Sequence, residues 1–261
     1  MDKKLTFMND ALKIRILQGD PIVHDVKNAS MPKLYRGLPI IEDKKCPSGC
    51  NKCQDICPTN AIDINPVRID LGLCVFCPLC EEVCPEKIIH FTNNYHTAVD
   101  KKEKLVVTNQ TKSVSSEIAS KKIRNYFGKS LKLRQISAGG CNGCELEMNA
   151  LSNVNFDMGR YGIEFVASPR HADGIVITGP ITQNMARATE ICYDAVPNPK
   201  IIILVGACAI SGGIFKNSPE LERKFLEENN IDLFVPGCPP HPLTFINGVL
   251  ELIGKLSRVK R

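Results

Sequence analysis

The chain has 261 residues, a net charge of +5 and 43% hydrophobic residues, values that are ordinary for a soluble globular protein of one or two domains. No apolar run reaches the roughly 18 residues that a membrane-spanning helix needs, and the first four residues do not resemble the start of a secretory signal peptide. The charge is too small to indicate nucleic-acid binding. We therefore expect a cytoplasmic protein that binds no nucleic acid.

An N-terminal arm, 1–45, precedes two dense runs of cysteine. Each run ends in Cys-Pro, and together they account for eight of the thirteen cysteines: Cys46, Cys50, Cys53 and Cys57, then Cys74, Cys77, Cys80 and Cys84. Doubled runs of this kind are typical of bacterial ferredoxins with two [4Fe–4S] clusters, in which the last cysteine of each run binds the other cluster. The sequence therefore predicts a small α+β dicluster ferredoxin domain over 46–95.

The crossing of the fourth cysteine assigns the ligands. One cluster is expected on Cys46, Cys50, Cys53 and Cys84, and the other on Cys74, Cys77, Cys80 and Cys57. The first run has three residues rather than two between its first pair of cysteines, which puts Cys46 in question unless the loop bulges. Structural zinc and a disulfide framework are the competing interpretations. Zinc does not account for two Cys-Pro endings, and disulfides are disfavoured in a reducing cytosol.

Residues 96–130 are rich in lysine, serine and threonine and are predicted to be a basic linker. Gly128, Lys129 and Ser130 resemble the end of a phosphate-binding loop, but Ile123 stands where its first glycine is required. No nucleotide site is expected. The lysines are interpreted as a solvated face, with contact to an acidic partner or to anionic lipid as the alternative. A short basic tail, 257–261, ends the chain.

From residue 131 to 256, strand-like and helix-like segments alternate. Strands are predicted at 132–137, 164–167, 174–178, 200–205 and 233–235, and helices from about 145 and at 184–195, 221–228 and 243–256. The third helix has Ser218 as its predicted N-cap, with Pro219 next. Such alternation predicts an α/β domain with a flavodoxin-like parallel sheet.

Four further cysteines follow predicted strands of this sheet. Cys141 and Cys144 come after the first strand, Cys208 after the 200–205 strand, and Cys238 after the last. The carboxyl ends of parallel strands converge on one ligand site, and glycine or proline flanks each of these cysteines. We therefore predict a third [4Fe–4S] site, the alternative being four unrelated buried cysteines.

This half of the chain resembles a known family. It is similar to the small subunits of energy-converting, membrane-associated [NiFe] hydrogenases, including those of formate hydrogenlyase, and to the 20 kDa terminal-cluster subunit of respiratory complex I. The resemblance covers nearly all of 131–255 and rests on five segments: 137–145, 168–173, 178–182, 206–213 and 236–240. The first part, including Tyr35 to Pro39, is similar to the separate dicluster subunit of the same complexes, which suggests a fusion of the two.

The resemblance implies an electron-transfer subunit that passes electrons to or from a [NiFe] large subunit. The CxxC of Cys141 and Cys144 favours the hydrogenase branch, because complex I subunits carry adjacent cysteines there. Only Cys192 remains outside the three sets, so the nickel-binding cysteines must lie on another chain. The alternatives are a subunit of a complex I-like quinone oxidoreductase and a stand-alone iron–sulfur carrier.

The resemblance also implies partners and a location. The expected partners are the large subunit, other subunits of a membrane-associated complex, and a donor such as ferredoxin or a formate dehydrogenase module. These would hold the chain on the inner face of the membrane. Glu145 is expected to face the large subunit and relay protons, the alternative being a helix-start acid. Arg170 and His171 have either capping or cluster-tuning roles, and His241 is expected to be a loop residue near the cluster.

Overall fold

The computed structural model of the chain describes residues 3–19, 21–114 and 125–256. The first helix, α1 (Lys3–Gln18), is followed by an extended segment that returns to the cysteine-rich part. In this segment strand β1 (Pro39–Ile41) buries Ile41, leaves Ile40 exposed and pairs antiparallel with β4 (Ile89–Phe91). The end of the expected N-terminal arm is therefore part of the ferredoxin-like domain.

The cysteine-rich domain is α+β, as predicted. Each cysteine run contains one short helix, α2 (Lys52–Asp55) or α3 (Leu79–Val83). Strands β2 (Ile62–Ile64), β3 (Val67–Asp70) and β5 (Val106–Thr108) form an antiparallel sheet in that order.

The expected linker at 96–130 is folded over much of its described length. A 3₁₀ turn, Lys102–Leu105, leads directly into β5, and Leu105 and Val107 are fully buried. Val99 also forms an antiparallel bridge with Phe234 of the second domain. Burial alternates along Leu105, Val106 and Val107, with Val106 exposed, so this lysine-rich stretch supplies a third strand that covers the ferredoxin core. The basic residues of 115–124 and the tail at 257–261 lie outside the described residues.

The second domain is built on the predicted parallel sheet. Its strands are β6 (Leu131–Ser137), β7 (Ile163–Phe165), β8 (Gly174–Thr178), β9 (Ile201–Val205) and β10 (Leu233–Val235). Their order is β10-β9-β8-β6-β7, and every neighbouring pair is parallel. This is the flavodoxin-like order, so the predicted fold class is confirmed.

Helices cover both faces of the sheet, which explains why the central strands are buried along their whole length. Every residue of β8 and β9 is buried. The helices are α4 (Gly143–Ala150), α5 (Gln183–Asp194), α6 (Ala207–Ser211), α7 (Lys224–Glu228) and α8 (Pro242–Leu252). In the described part of the chain, no helix is long and apolar enough to cross a bilayer.

Two helix boundaries differ from the prediction. The helix expected from residue 221 with Ser218 as its N-cap begins at Lys224, because Leu221 instead forms an antiparallel bridge with Thr182. The last helix ends at Leu252, where Gly254 has a φ of +69° and turns the chain. Both differences arise from tertiary pairing or turn geometry that local pattern does not encode.

Candidate iron–sulfur sites

The first predicted ligand set is brought together by the ferredoxin-like domain. Burial raises the pKa of the Cys46 thiol, and the charges of Cys50 and Cys84 raise it further. Burial also raises the pKa of Cys53, and the charges of Cys84 and Cys46 raise it further. Cys84, the last cysteine of the second run, therefore lies near Cys46 and Cys53 of the first run, which agrees with the crossed assignment.

The second set shows the reciprocal crossing. Burial raises the pKa of both Cys74 and Cys80 to about 12, and the neighbouring sulfurs of Cys57 and Cys77 contribute to both shifts. These four cysteines line one cavity together with apolar side chains that include Ile62, Ile69 and Leu79. A cavity of this composition fits a thiolate-bound cluster that is shielded from water.

Backbone N–H groups point at the sulfurs in the same way in both halves of the domain. The amide of Ala61 donates to Cys57 Sγ at 3.2 Å, and the amide of Ile88 donates to Cys84 Sγ at 3.3 Å. Each donor follows a residue in left-handed conformation, Asn60 or Lys87. Both Cys-Pro endings thus fold into the same turn, which offers a hydrogen bond to a negative sulfur and fits an iron–sulfur ligand.

The third set lies at the carboxyl edge of the parallel sheet. Cys144 is in the first turn of α4, Cys208 is in the first turn of α6, and Cys238 follows β10. Burial raises the pKa of Cys144 to about 12 and that of Cys208 to about 11. The charges of Cys141, Cys238 and Glu145 contribute to both shifts. Cys141 and Cys238 are exposed, so this site opens to the protein surface.

Glycine is required where the backbone approaches these sulfurs. Gly206 has φ +90° and ψ +154°, a conformation open almost only to glycine, and a Cβ there would lie 2.6 Å from Cys144 Sγ. A Cβ added at Gly213 would lie 3.0 Å from Cys208 Sγ.

We therefore expect Gly206→Ala to remove the third cluster without changing a ligand. The backbone strain costs about 1–3 kcal/mol, and the methyl group displaces Cys144. Iron content and the electron paramagnetic resonance (EPR) spectrum of the reduced chain would measure the loss. Ala209→Gly, two residues into α6, is the matched control and should retain all clusters. A full set of clusters in Gly206→Ala would contradict the expected displacement of Cys144.

The three sets follow one another through the molecule. Helix α2, which carries Cys53 of the first set, packs against α3, which carries Cys80 of the second. Val75 and Phe76, between Cys74 and Cys77 of the second set, line one cavity with Cys238 of the third. The second set therefore lies between the other two. All thirteen cysteines are free thiols, and in the described ranges no three His, Cys, Asp or Glu side chains converge on a position for a single metal ion.

Both halves of the chain are similar to known proteins. The family described as "NADH ubiquinone oxidoreductase, 20 Kd subunit" matches residues 141–252, and a 4Fe-4S dicluster domain matches residues 45–88. The probable membrane-bound hydrogenase subunit mbhJ of Pyrococcus furiosus is 34% identical over 153 residues, which cover 59% of this chain and 92% of that protein. The chain belongs to the 20 kDa subunit family.

Two further members of the 20 kDa subunit family show its range. Formate hydrogenlyase subunit 7 of Escherichia coli is 38% identical over 148 residues, covering 56% of this chain and 58% of that protein. An NADH-quinone oxidoreductase subunit of Bacteroides thetaiotaomicron is 41% identical over 115 residues, covering 44% of this chain and 58% of that protein. The chain thus spans a little over half the length of these two relatives. All three relatives are named as subunits of oxidoreductase complexes, and the matched domains indicate [4Fe–4S] clusters.

Glu145 does not have the outward orientation that was expected of it. Its side chain is buried, and Oε1 accepts hydrogen bonds from Ser137 Oγ at 2.8 Å and Thr178 Oγ1 at 2.6 Å. Ser137 and Thr178 end the adjacent strands β6 and β8. The carboxylate therefore fixes the first turn of α4 to the sheet edge that carries the third set. Glu147, two residues further along the helix, is half-buried, and burial raises its pKa.

The other polar candidates take structural positions. Arg170 and His171 belong to a 3₁₀ turn before Gly174, at the start of β8, whereas the cysteines follow the ends of the strands. His241 is the N-cap of α8, where Nδ1 accepts from the amide of Leu243 at 3.1 Å, and burial lowers its pKa to about 4. Cys192 is partly buried on α5 and lies near Arg134.

Sequence reasoning missed the residues that hold the loops of the second set in place. Arg36 Nε donates to Phe76 O at 2.7 Å, between Cys74 and Cys77. Ser211 and Lys216 of the second domain contact the neighbouring loops. Their partners are backbone carbonyls 40 to 157 positions away in the sequence, and no local pattern signals such pairs.

Proposed function

We propose that the chain is an electron-transfer subunit of a multisubunit oxidoreductase, passing electrons through three [4Fe–4S] clusters to or from a [NiFe] hydrogenase large subunit. The observation that carries the proposal is the serial arrangement of three four-cysteine sets. The helices that carry Cys53 and Cys80 pack against each other, and the loop between Cys74 and Cys77 lines one cavity with Cys238. Such an order gives electrons one route from the ferredoxin-like domain to the edge of the parallel sheet.

Each set would hold its cluster through four thiolates, with the ligands assigned as the sequence predicts. A [4Fe–4S] cluster supplies reversible one-electron transfer. The protein would bind the clusters, shield them from water and tune their reduction potentials. The amides of Ala61, Phe76 and Ile88 donate to ligand sulfurs and so favour the more negative, reduced state. Buried apolar residues such as Ile62 and Ile69 exclude water from the second set.

The chemistry on hydrogen would take place on a partner. Outside the three sets this chain has one cysteine, Cys192, which cannot bind a nickel–iron centre by itself. At the third set Cys141, Cys238 and the neighbouring Leu146 are exposed. Exposed cysteines and an exposed leucine beside a redox site suit a large subunit docked at this edge. Partner subunits would also hold the chain at the inner face of the membrane.

The complex I-like quinone oxidoreductase is the second candidate, and one observation favours it: relatives named as NADH-quinone oxidoreductase subunits match the same domain at up to 41% identity. The spacing of Cys141 and Cys144 supports the hydrogenase instead. A stand-alone carrier would not require the exposed edge at the third set, which a docked partner would cover.

Anaerobic reconstitution of the full chain tests the cluster assignment. Twelve cysteines in three sets should bind about twelve iron atoms per chain. Iron near four atoms per chain, or stoichiometric zinc, would contradict the proposal. Affinity purification of the native complex then tests the partner: a nickel-containing subunit supports the hydrogenase, a quinone-reducing partner supports the complex I-like alternative, and a monomer supports the carrier.

A further inference from the structure

Two polar side chains that follow Cys208 contact the loops that carry the second ligand set. Ser211 Oγ donates to the carbonyl of Gly72 at 2.7 Å, and Lys216 Nζ donates to the carbonyl of Thr59 at 2.9 Å. Gly72 comes two residues before Cys74, and Thr59 comes two residues after Cys57. One short segment, 208–216, therefore provides a ligand of the third set and contacts both loops of the second.

The Ser211 contact lies in a tightly packed place. A Cβ on Gly72 would lie 2.9 Å from Ile210 Cγ2, so a larger residue at Gly72 would displace the Ile210 side chain. The hydroxyl group of Ser211 has two possible acceptors, Gly72 O at 2.7 Å and Ala207 O at 3.0 Å. The shorter of the two hydrogen bonds, to Gly72, joins the two domains. The amide of Gly213 in turn donates to Ser211 Oγ at 3.2 Å. Hydrogen bonds thus run from the loop of Cys208 to the loop of Cys74.

The Lys216 contact places a positive charge on the loop that follows Cys57 of the second set. Thr59 is only 2% exposed, its hydroxyl lies 3.7 Å from Cys57 Sγ, and Lys216 is itself partly buried. Within the described ranges, no carboxylate forms an ion pair with Lys216. A neighbouring positive charge favours the more negative form of a redox group, and this effect is larger where water is excluded.

We infer that Ser211 and Lys216 are positioning residues for electron transfer between the second and third clusters. Both fix the distance between the two clusters through the carbonyls of Gly72 and Thr59. In addition, the positive charge of Lys216 would raise the reduction potential of the cluster that the second set would hold. This inference rests on the proposed function, because it uses the cluster assignments given there.

The test uses the full chain, reconstituted anaerobically, with the potential of each cluster measured by EPR-monitored redox titration. Lys216→Met should lower the potential of the second cluster, whereas Lys216→Arg should restore the wild-type value because it keeps the charge. Lys224→Met is the matched control: Lys224 is an exposed lysine eight residues further on, 3.8 Å from Glu228, and its loss should leave all potentials unchanged. Ser211→Ala should keep the potentials but weaken the magnetic interaction between the reduced second and third clusters.

The outcomes separate this inference from the proposed function. Fewer than three clusters in the wild-type chain would overturn the cluster assignment. Three clusters with the second potential unchanged in Lys216→Met would overturn only the role of Lys216, and an unchanged magnetic interaction in Ser211→Ala would overturn that of Ser211. If Lys216→Met loses the second cluster, Lys216→Gln is measured instead, because glutamine keeps a hydrogen-bond donor but carries no charge. A lowered potential of the second cluster in Lys216→Gln would support the inference. A wild-type potential would contradict it.

Discussion

Replacing Cys208 by serine is expected to abolish hydrogen evolution driven by the physiological donor, while both clusters of the ferredoxin-like domain remain reducible. Cys208 opens α6 directly after β9, at the position where the structure gathers the third ligand set. In the proposed function the third cluster is the one next to the partner, so its loss would leave the electrons of the second cluster without an acceptor there. The measurement is hydrogen evolution by the assembled complex, with the reducible clusters followed in parallel by EPR.

Cys192→Ser is the matched control, because it removes a cysteine of the same domain that belongs to none of the three sets. We expect this variant to evolve hydrogen at the wild-type rate. Hydrogen evolution at that rate by an assembled Cys208→Ser complex, with its other clusters intact, would show that electrons leave the chain by another route. A partner that reduces quinone in place of one that contains nickel would move the chain to the complex I branch.

The spacing of the cysteines and the alternation of strands were sufficient to predict the fold and to group the candidate ligands. Both patterns can be read locally. Each Cys-Pro ending folds into a turn in which the amide of the residue four positions on donates to the cysteine sulfur. Strands β8 and β9 are rich in apolar residues because both of their faces are covered. The parallel order then brings Cys141, Cys144, Cys208 and Cys238 to one edge without further information.

The features that sequence did not predict are those that depend on distant contacts. Strand β5 lies in a stretch whose lysines indicate a linker, and it forms because β3 offers it an edge. Glu145 points inward because Ser137 and Thr178 end neighbouring strands and together offer two hydroxyl donors. The contacts of Ser211 and Lys216 join the two domains through backbone carbonyls, which carry no residue-specific signal.

The extra residue between Cys46 and Cys50 leads to the second large prediction. The amide of Cys50 donates to Pro47 O at 3.0 Å, and Gly49 has a φ of +71°, so the longer loop is absorbed in a turn. Cys46 and Cys50 both line a cavity of about 440 Å³ next to this loop. The turn leaves Cys46 within electrostatic reach of Cys50 and Cys84, where a ligand is needed.

We therefore expect Cys46→Ser to lose or convert the first cluster while the second and third persist. Cys57→Ser is the informative comparison, because the crossed arrangement places Cys57 in the second set although it belongs to the same run. Iron analysis and EPR of the reconstituted chains would distinguish the two variants by which cluster is lost. Three unchanged cubane spectra in Cys46→Ser would mean that another group binds that iron. Loss of the same cluster in both variants would mean that the cysteine runs do not cross.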